Sequence, residues 1–468
     1  MVKPFSTHWA DIAAVKIIKS RGAKKHYVVA SGISPSGTVH IGNFREVITV
    51  DFVRNALEKL GHSVRFIYSW DNFDTFRKVP KNIPNPDDFK QHLRKPIARI
   101  PDPWNEAESY AKGRTNAFEK EISQVGISPE YLYQEECYSN GNYCDEVIKA
   151  LDHKDVIKDI LNEHRSTPLD NSWLPISIYC KHCDSDHVAD QNYNNQKLSY
   201  RCCSCGKEDT IDLKTATNIK LLWRVDWPMR WAFEDVDFEP GGKDHSSRGG
   251  SFDTGSTIIE KVWQKKPPEY LQYDFVAIKG GSGKMSSSSG ELYTLGEVLK
   301  VYEPEVVRWI FANQRANHDF SIAFDEDVIK CYEEFDRCET LAFSNPTEKT
   351  QKKWLQNKRV YELSLVNNKD VADKPLRPSF RMLCDHLQIC DGDLQRTYDR
   401  YYKHTGVSFD IFHSRATRAW LWICQYAPGE FCYRLNQTKP ELSEKEMKII
   451  SLFKKMIVAV DLNSISSK

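Results

Sequence analysis

No apolar run in the sequence comes near the ~18 residues that a membrane span needs. Nor is there any net charge: the 468 residues hold 65 Lys and Arg against 65 Asp and Glu. The first absence excludes a helical membrane protein, so no membrane partner is expected. The second excludes a general polyanion binder. The opening MVKPFSTHWADIAAVKIIKSRG has no secretory apolar core, because Asp11 and Lys16 interrupt it. The 13 cysteines therefore argue for thiols and metal ligands in a reducing cytoplasm, not for a disulfide framework. Internal repeats and long low-complexity stretches are missing too.

What remains is the mix of an ordinary globular chain, 40% hydrophobic and 28% charged, long enough for two to four domains. Charge is unevenly spread. From Pro346 to Lys468 there are 21 Lys and Arg and 14 Asp and Glu, an excess of 21 − 14 = +7, so the rest carries −7. A basic C-terminal region on a neutral chain points to nucleic acid, and equally to a solvated helical surface.

The first unit reads as α/β. His26 to Ile33 is a short β-branched run leading into the turn Ser34-Pro35-Ser36-Gly37. A helix is expected from Asn43 to Leu60, with Gly61 as its C-terminal cap, then a strand from Val64 to Ser69. Strand, helix and strand make a βαβ unit and imply a parallel sheet. Residues 80–103 read as loop. The runs Ile219 to Trp223 and Leu271 to Ile278 read as further strands of that sheet, with a helix near Thr257 to Trp263 between them. A Gly/Ser loop at 280–290 precedes an expected helix from Leu295 to Phe311. The tail from about 350 reads as helical, with stops at Pro375, Pro378 and Pro428.

Four groups of residues can carry chemistry. His40, Gly42 and Asn43 stand at a helix start after a parallel strand. Free N–H groups and the positive end of the helix dipole would hold a phosphate there. The competing account is a helix start with an incidental histidine. The second group is Lys279-Gly280-Gly281-Ser282-Gly283-Lys284-Met285-Ser286-Ser287. It fails as a P-loop, because Ile278 stands where the first Gly belongs and Met285 where Ser or Thr belongs. A mobile loop presenting Lys284 suits closure over a triphosphate, and a plain linker is its alternative. The third is Cys180-x2-Cys183, 18 residues, then Cys202-x2-Cys205, the spacing of a closed four-thiolate zinc site with a structural role. His182, His187 and Cys203 are spare ligands. The fourth, Gly241-Gly242-Lys243-Asp244-His245, brings backbone close to a ligand and offers a carboxylate to ribose hydroxyls.

Pro35-Ser36-Gly37-x-x-His40-Ile41-Gly42-Asn43 and Lys284-Met285-Ser286-Ser287 together resemble the HIGH and KMSKS signatures of class I aminoacyl-tRNA synthetases. His8-Trp9-Ala10-Asp11, Gly42-Asn43-Phe44-Arg45-Glu46, Phe76-Arg77-Lys78-Val79-Pro80, Gly241-to-His245 and Tyr426-Ala427-Pro428-Gly429-Glu430-Phe431 narrow the resemblance to the class I, archaeal-type lysyl-tRNA synthetases. It runs from about residue 8 to about 435. One departure stands out: Ser287 replaces the second Lys of KMSKS, leaving Lys284 as that loop's cation unless Lys279 or Arg45 supplies another.

The resemblance implies activation of lysine by ATP to lysyl-adenylate and transfer to the 3′ end of tRNA(Lys), with Mg²⁺ accompanying ATP. It implies His40, Asn43 and Lys284 on the triphosphate, and Gly42, Gly242, Asp244, Met285, Ser286 and Ser287 at ATP. Gly32, Ser34, Trp223, His245 and Tyr273 would line the amino-acid pocket; plain core packing is the alternative for Trp223 and Tyr273. A lysine ammonium needs carboxylate or aromatic partners once desolvated. Asp71 and Asp74, which follow the second strand, are the candidates, and turn formation is their alternative.

The expected architecture is α/β: a Rossmann-type parallel sheet in a catalytic domain (1–105 and 216–300) split by a zinc-bearing insertion (106–215). Stem-contact helices (301–350) and an all-α anticodon-binding region (351–468) follow. Tyr398, Tyr401, Tyr402, Trp420 and Trp422 could stack on anticodon bases, with core packing at helical spacing the alternative for some of them. We expect a cytoplasmic monomer. Two rivals remain: a sister class I synthetase, for which glutamate would require a basic pocket, and a catalytically silent tRNA-binding paralogue.

Overall fold

The computed structural model describes residues 5–280, 293–366, 372–435 and 441–459. After α1 (Trp9–Arg21), β1 (His26–Ile33) sends Tyr27 and Val29 into one core and Val28 and Ala30 into another. A strand buried on both faces belongs inside a parallel sheet. α2 (Ile41–Lys59) follows, then β2 (Ser63–Trp70), which pairs parallel with β1 from His26↔Ser63 to Ile33↔Trp70. Gly61, just past α2, takes φ 89° and donates to Glu58, the expected left-handed stop.

β3 (Glu130–Tyr133) extends the sheet beyond β2. β4 (Ile176–Ile178) then leads to an antiparallel module of β5 (Val188–Asn194), β6 (Lys197–Cys202) and β7 (Glu208–Asp212). The run at 219–223 corrects the sequence reading. β8 (Ile219–Leu221) lies outside the parallel sheet, antiparallel to β4, and Trp223 opens a helix, α3 (Trp223–Phe233). The strand that belongs beside β1 is β9 (Phe238–Gly242), fully buried. Its sequence FEPGG has the Pro and Gly that strands usually avoid, so a propensity reading passes over it.

The run 271–278 also divides. β10 (Glu269–Tyr273) pairs with β9 at the sheet edge, while β11 (Val276–Ile278) pairs parallel with β12 (Phe320–Ile322). The main sheet is thus parallel with order β10-β9-β1-β2-β3. The helix expected at 257–263 starts earlier, at Ser251, and becomes a π-helical turn over Ile259–Trp263. The helix expected over 295–311 is two, Leu295–Val301 and α4 (Pro304–Ala312), because Pro304 can start a helix but not continue one.

The C-terminal part is helical. α5 (Gln351–Ser364) is followed by helices Phe380–Ile389, Leu394–Tyr401, Phe409–Gln425 and Glu444–Ala459. Pro375, Pro378 and Pro428 all fall between helices, as expected. One core joins a sheet face to α1, α2, α4 and these helices, and a second core fills the other face. The last helix departs from this pattern: Leu452 and Phe453 stay 63% and 62% exposed. Among the described residues, no helix is long and apolar enough to cross a membrane.

Candidate active site

The order of the sheet decides where a ligand can sit. From β1 the chain crosses to β2 on one side, and β9 lies on the other, so β1 and β9 flank a topological switch point. The carboxyl ends of these strands open into a cleft of about 400 Å³. Gly32, Ser34, His40, Gly42, Asn43, Asp71, Trp223, Gly242, Asp244, His245 and Tyr273 all line it, although they stand as far as 241 positions apart (273 − 32). Lys284, Met285, Ser286 and Ser287 lie outside the described residues.

The start of α2 is built as a reciprocal cap. His40 Nδ1 accepts from the Gly42 N–H at 3.1 Å, and Asn43 Oδ1 accepts from the His40 N–H at 3.0 Å. With Nδ1 accepting, the neutral ring carries its proton on Nε2. The cap sets the His40 ring and the Asn43 amide beside the helix N-terminus, where anionic oxygens are favoured. Ile41 donates to Tyr293 O at 2.8 Å, which fixes this corner to the chain at 293.

Glycines sit where the strands crowd. A Cβ on Gly32 would lie 2.6 Å from the Ser69 carbonyl oxygen, and one on Gly242 would lie 2.6 Å from Asp244 Oδ1. The Gly32 position needs a residue without a side chain, whereas at Gly242 the Asp244 side chain would have to turn aside. Ser34 Oγ is buried at the cleft, which Asp74 lines as well.

The carboxylates are where the sequence reading needs amending. Asp71 and Asp74 line the cleft, but each already holds a buried cation. Arg230 pairs with Asp71 at 2.7 Å and with Asp226 at 3.2 Å, and Lys220 pairs with Asp74 at 2.5 Å. The carboxylate that sequence reasoning missed is Glu46, one turn beyond Asn43 on α2. Its Oε1 accepts from Gly32 N–H at 2.9 Å and its Oε2 from the Tyr273 hydroxyl at 2.6 Å. No cation pairs with it among the described residues. Burial pushes its pKa up to about 8, against the opposing pull of the Tyr273 and Gly32 hydrogen bonds. The signal was present in the spacing His40, Asn43, Glu46, which places three polar side chains on one face of α2.

Tyr273 is thus a half-buried partner of Glu46, and desolvation raises its hydroxyl well above the usual range. Trp223 is 37% exposed and stacks on Trp227 with centroids 5.0 Å apart, so it walls the cleft and is not core. The other cations weighed from the sequence are committed elsewhere. Arg45 donates to the carbonyls of Arg315, Ala316 and His318, and Lys279 pairs with Asp325 at 2.7 Å and with Asp327.

Away from the cleft, Cys180, Cys183, Cys202 and Cys205 converge with their sulfurs within 4.8 Å of one another. Cys180–Cys205 and Cys183–Cys202 are 3.7 and 3.6 Å apart. Four sulfurs about 2.3 Å from one Zn²⁺ would stand about 3.8 Å apart at tetrahedral geometry, so the donor set fits. Among the described residues this is the one such cluster, and His182, His187 and Cys203 are not in it. In the tail, Trp422 is fully buried and Tyr402 nearly so, which removes both from any base-stacking surface. Tyr398, Tyr401 and Trp420 remain partly exposed.

A crevice at a switch point, with a phosphate-favouring helix start on its rim, defines a Rossmann-type α/β enzyme of the nucleotide-binding kind. The family model of tRNA synthetases class I (K) matches residues 7–367. The chain belongs to that family. It is 45% identical over 433 residues to a lysine–tRNA ligase of Borreliella burgdorferi, covering 92% of this chain and 82% of the relative. A lysine–tRNA ligase of Treponema pallidum is 42% identical over 435 residues, with shares of 92% and 82%. One of Thermococcus kodakarensis is 42% identical over 448 residues, with shares of 93% and 84%.

Proposed function

We propose that the protein is a lysine–tRNA ligase that forms lysyl-adenylate from lysine and ATP in this cleft and passes the lysyl group to the 3′ end of tRNA(Lys). Glu46 carries the reading: a half-buried carboxylate whose partners among the described residues are neutral, aimed at the amino-acid pocket. A desolvated ammonium needs such a partner, and the carboxylate needs the cation. The sister enzyme for glutamate calls for a basic pocket, whereas among the described residues no Lys or Arg lines this cleft and Glu46 does.

The roles follow from position. Ser34 Oγ and the strand end at Gly32 face the amino-acid backbone, and Trp223 and His245 wall the pocket. Gly42 and Gly242 allow the nucleotide close to the backbone, and Asp244 accepts from the ribose. His40 Nε2–H and the Asn43 amide stabilise phosphate oxygens as negative charge moves onto pyrophosphate. Lys284 is assigned to the same phosphates, and Met285, Ser286 and Ser287 to ATP, from their sequence alone. Catalysis is positioning and electrostatics, with no covalent enzyme intermediate. Mg²⁺ accompanies the ATP phosphates, and Zn²⁺ holds the four-cysteine module together. The helical C-terminal region meets the tRNA, and the enzyme works as a cytoplasmic monomer.

The test is ATP–pyrophosphate exchange across the twenty amino acids, with and without tRNA. Lysine-specific exchange is expected. Exchange with another amino acid would discard the lysine reading, and no exchange even with tRNA would leave a silent tRNA-binding protein.

A further inference from the structure

A second cavity, of about 580 Å³, adjoins the cleft. The two share Ser34, Asp74 and Trp223, so these three residues form the partition between them. Asp74 is therefore a carboxylate that both spaces reach. What holds it is one cation: Lys220, from β8, 6% exposed and 2.5 Å away. A buried lysine with a single carboxylate partner is an expensive arrangement, and neutral residues of similar shape often replace such a pair without loss of stability. Its presence at the partition of a cation-binding cleft calls for a reason beyond stability.

The reason lies in the tally of charges. Asp71 shares Arg230 with Asp226 and Asp74 is paired with Lys220, while the partners of Glu46 among the described residues are neutral. A cationic side chain entering the cleft then finds one uncompensated carboxylate among these three, at one fixed distance from the amino-acid backbone. Without Lys220 it would find a second, on the partition, with a cavity behind it. Side chains that do not match the Glu46 distance, whether shorter or longer, would gain an anchor.

Resting on the lysine reading above, we propose that Lys220 is a specificity-determining residue. It acts through Asp74, masking that carboxylate so that only a cation reaching Glu46 is held. Lys220 touches no substrate in this account; it is a positioning residue, and discrimination against ornithine and arginine is what it supplies.

The experiment uses the full-length protein with tRNA present. Inhibition of lysine-dependent exchange by ornithine and by arginine is compared in the unaltered protein, Lys220→Met, Lys220→Gln and the double variant Lys220→Met/Asp74→Asn. The single variants are expected to bind ornithine or arginine about tenfold better relative to lysine, the scale on which one misplaced contact acts in substrate discrimination. The double variant removes the unmasked charge and is expected to restore the original ratio, which a purely structural role would not do. Because it exchanges the ion pair for a neutral pair of similar volume, it also reports if the single variants fail to fold. An unchanged ratio in a folded single variant would overturn the proposal. So would a rise in KM for tRNA alone, since that would place Lys220 in the service of the adjoining cavity. Absence of lysine-dependent exchange in the unaltered protein would instead overturn the functional reading beneath it.

Discussion

On the proposed reading, a single residue, Glu46, would set both the affinity for lysine and its pH dependence. Its folded-state pKa of about 8 lies above the ordinary 4.5, with desolvation the largest cause. The folded protein thus holds that proton more tightly than the unfolded chain. Between those two values Glu46 lowers stability as pH rises, because ionisation is favoured only in the unfolded state. Glu239 and Asp71 are raised as well, Asp71 to about 6, so they act in the same direction. A bound ammonium reverses the balance by favouring the carboxylate. The KM for lysine should therefore fall as pH rises from about 6 toward 8, the window set by this shift. Glu46→Gln should flatten that profile and raise the KM for lysine about 10- to 100-fold, the loss of one hydrogen bond to a charged group. The KM for ATP should move far less. A pH profile identical in the variant would dissociate Glu46 from lysine.

Elements were legible in proportion to how ordinary their local chemistry is. β1 and β2 announce themselves by apolar, β-branched content and α2 by its periodicity, and each was placed within two residues of its observed ends. β9 was invisible because FEPGG violates strand propensity, yet its glycines are what open the ligand edge. β8 looked like a sheet strand because three buried residues are too few to show which partner they pair with. The cysteine spacing was the clearest signal, since two short knuckles leave little doubt about convergence. The module it closes has three short antiparallel strands and a small buried set, Leu198, Tyr200, Cys202 and Ile211 among them. So little core calls for a staple. Metal analysis of the purified protein should find one zinc per chain. Removing it with a chelator, or by Cys180→Ser, should lower the unfolding temperature and expose Cys202 to thiol reagents. A metal-free protein of unaltered stability would sink this account.

At the scale of the whole molecule, the string His8-Trp9-Ala10-Asp11 acquires a physical purpose. His8 caps α1 and its Nε2 meets Ala312 O at 2.9 Å, while Trp9 Nε1 donates to Gln314 O at 2.9 Å. Both hold the chain that leaves α4. Asp11, 2% exposed, receives Arg359 of α5, with Nη2 to Oδ1 at 2.8 Å, and the Ser6 hydroxyl at 2.6 Å. The first helix of the C-terminal part is thereby fastened to the helix that precedes β1, and both belong to the core that covers one face of the sheet. Sequence could not show this, because partners 348 positions apart leave no local trace. The consequence is that the sheet and α5 should unfold together. Arg359→Met keeps the packing volume but leaves the buried Asp11 carboxylate with a hydroxyl alone, at a cost of about 3–5 kcal/mol. Thermal unfolding followed by tryptophan fluorescence should show one transition in the unaltered protein, displaced to lower temperature in the variant, with lysine-dependent exchange lost over the same range. Two separate transitions, with exchange tracking only the one that Arg359→Met leaves in place, would mean that α5 is not part of the catalytic body.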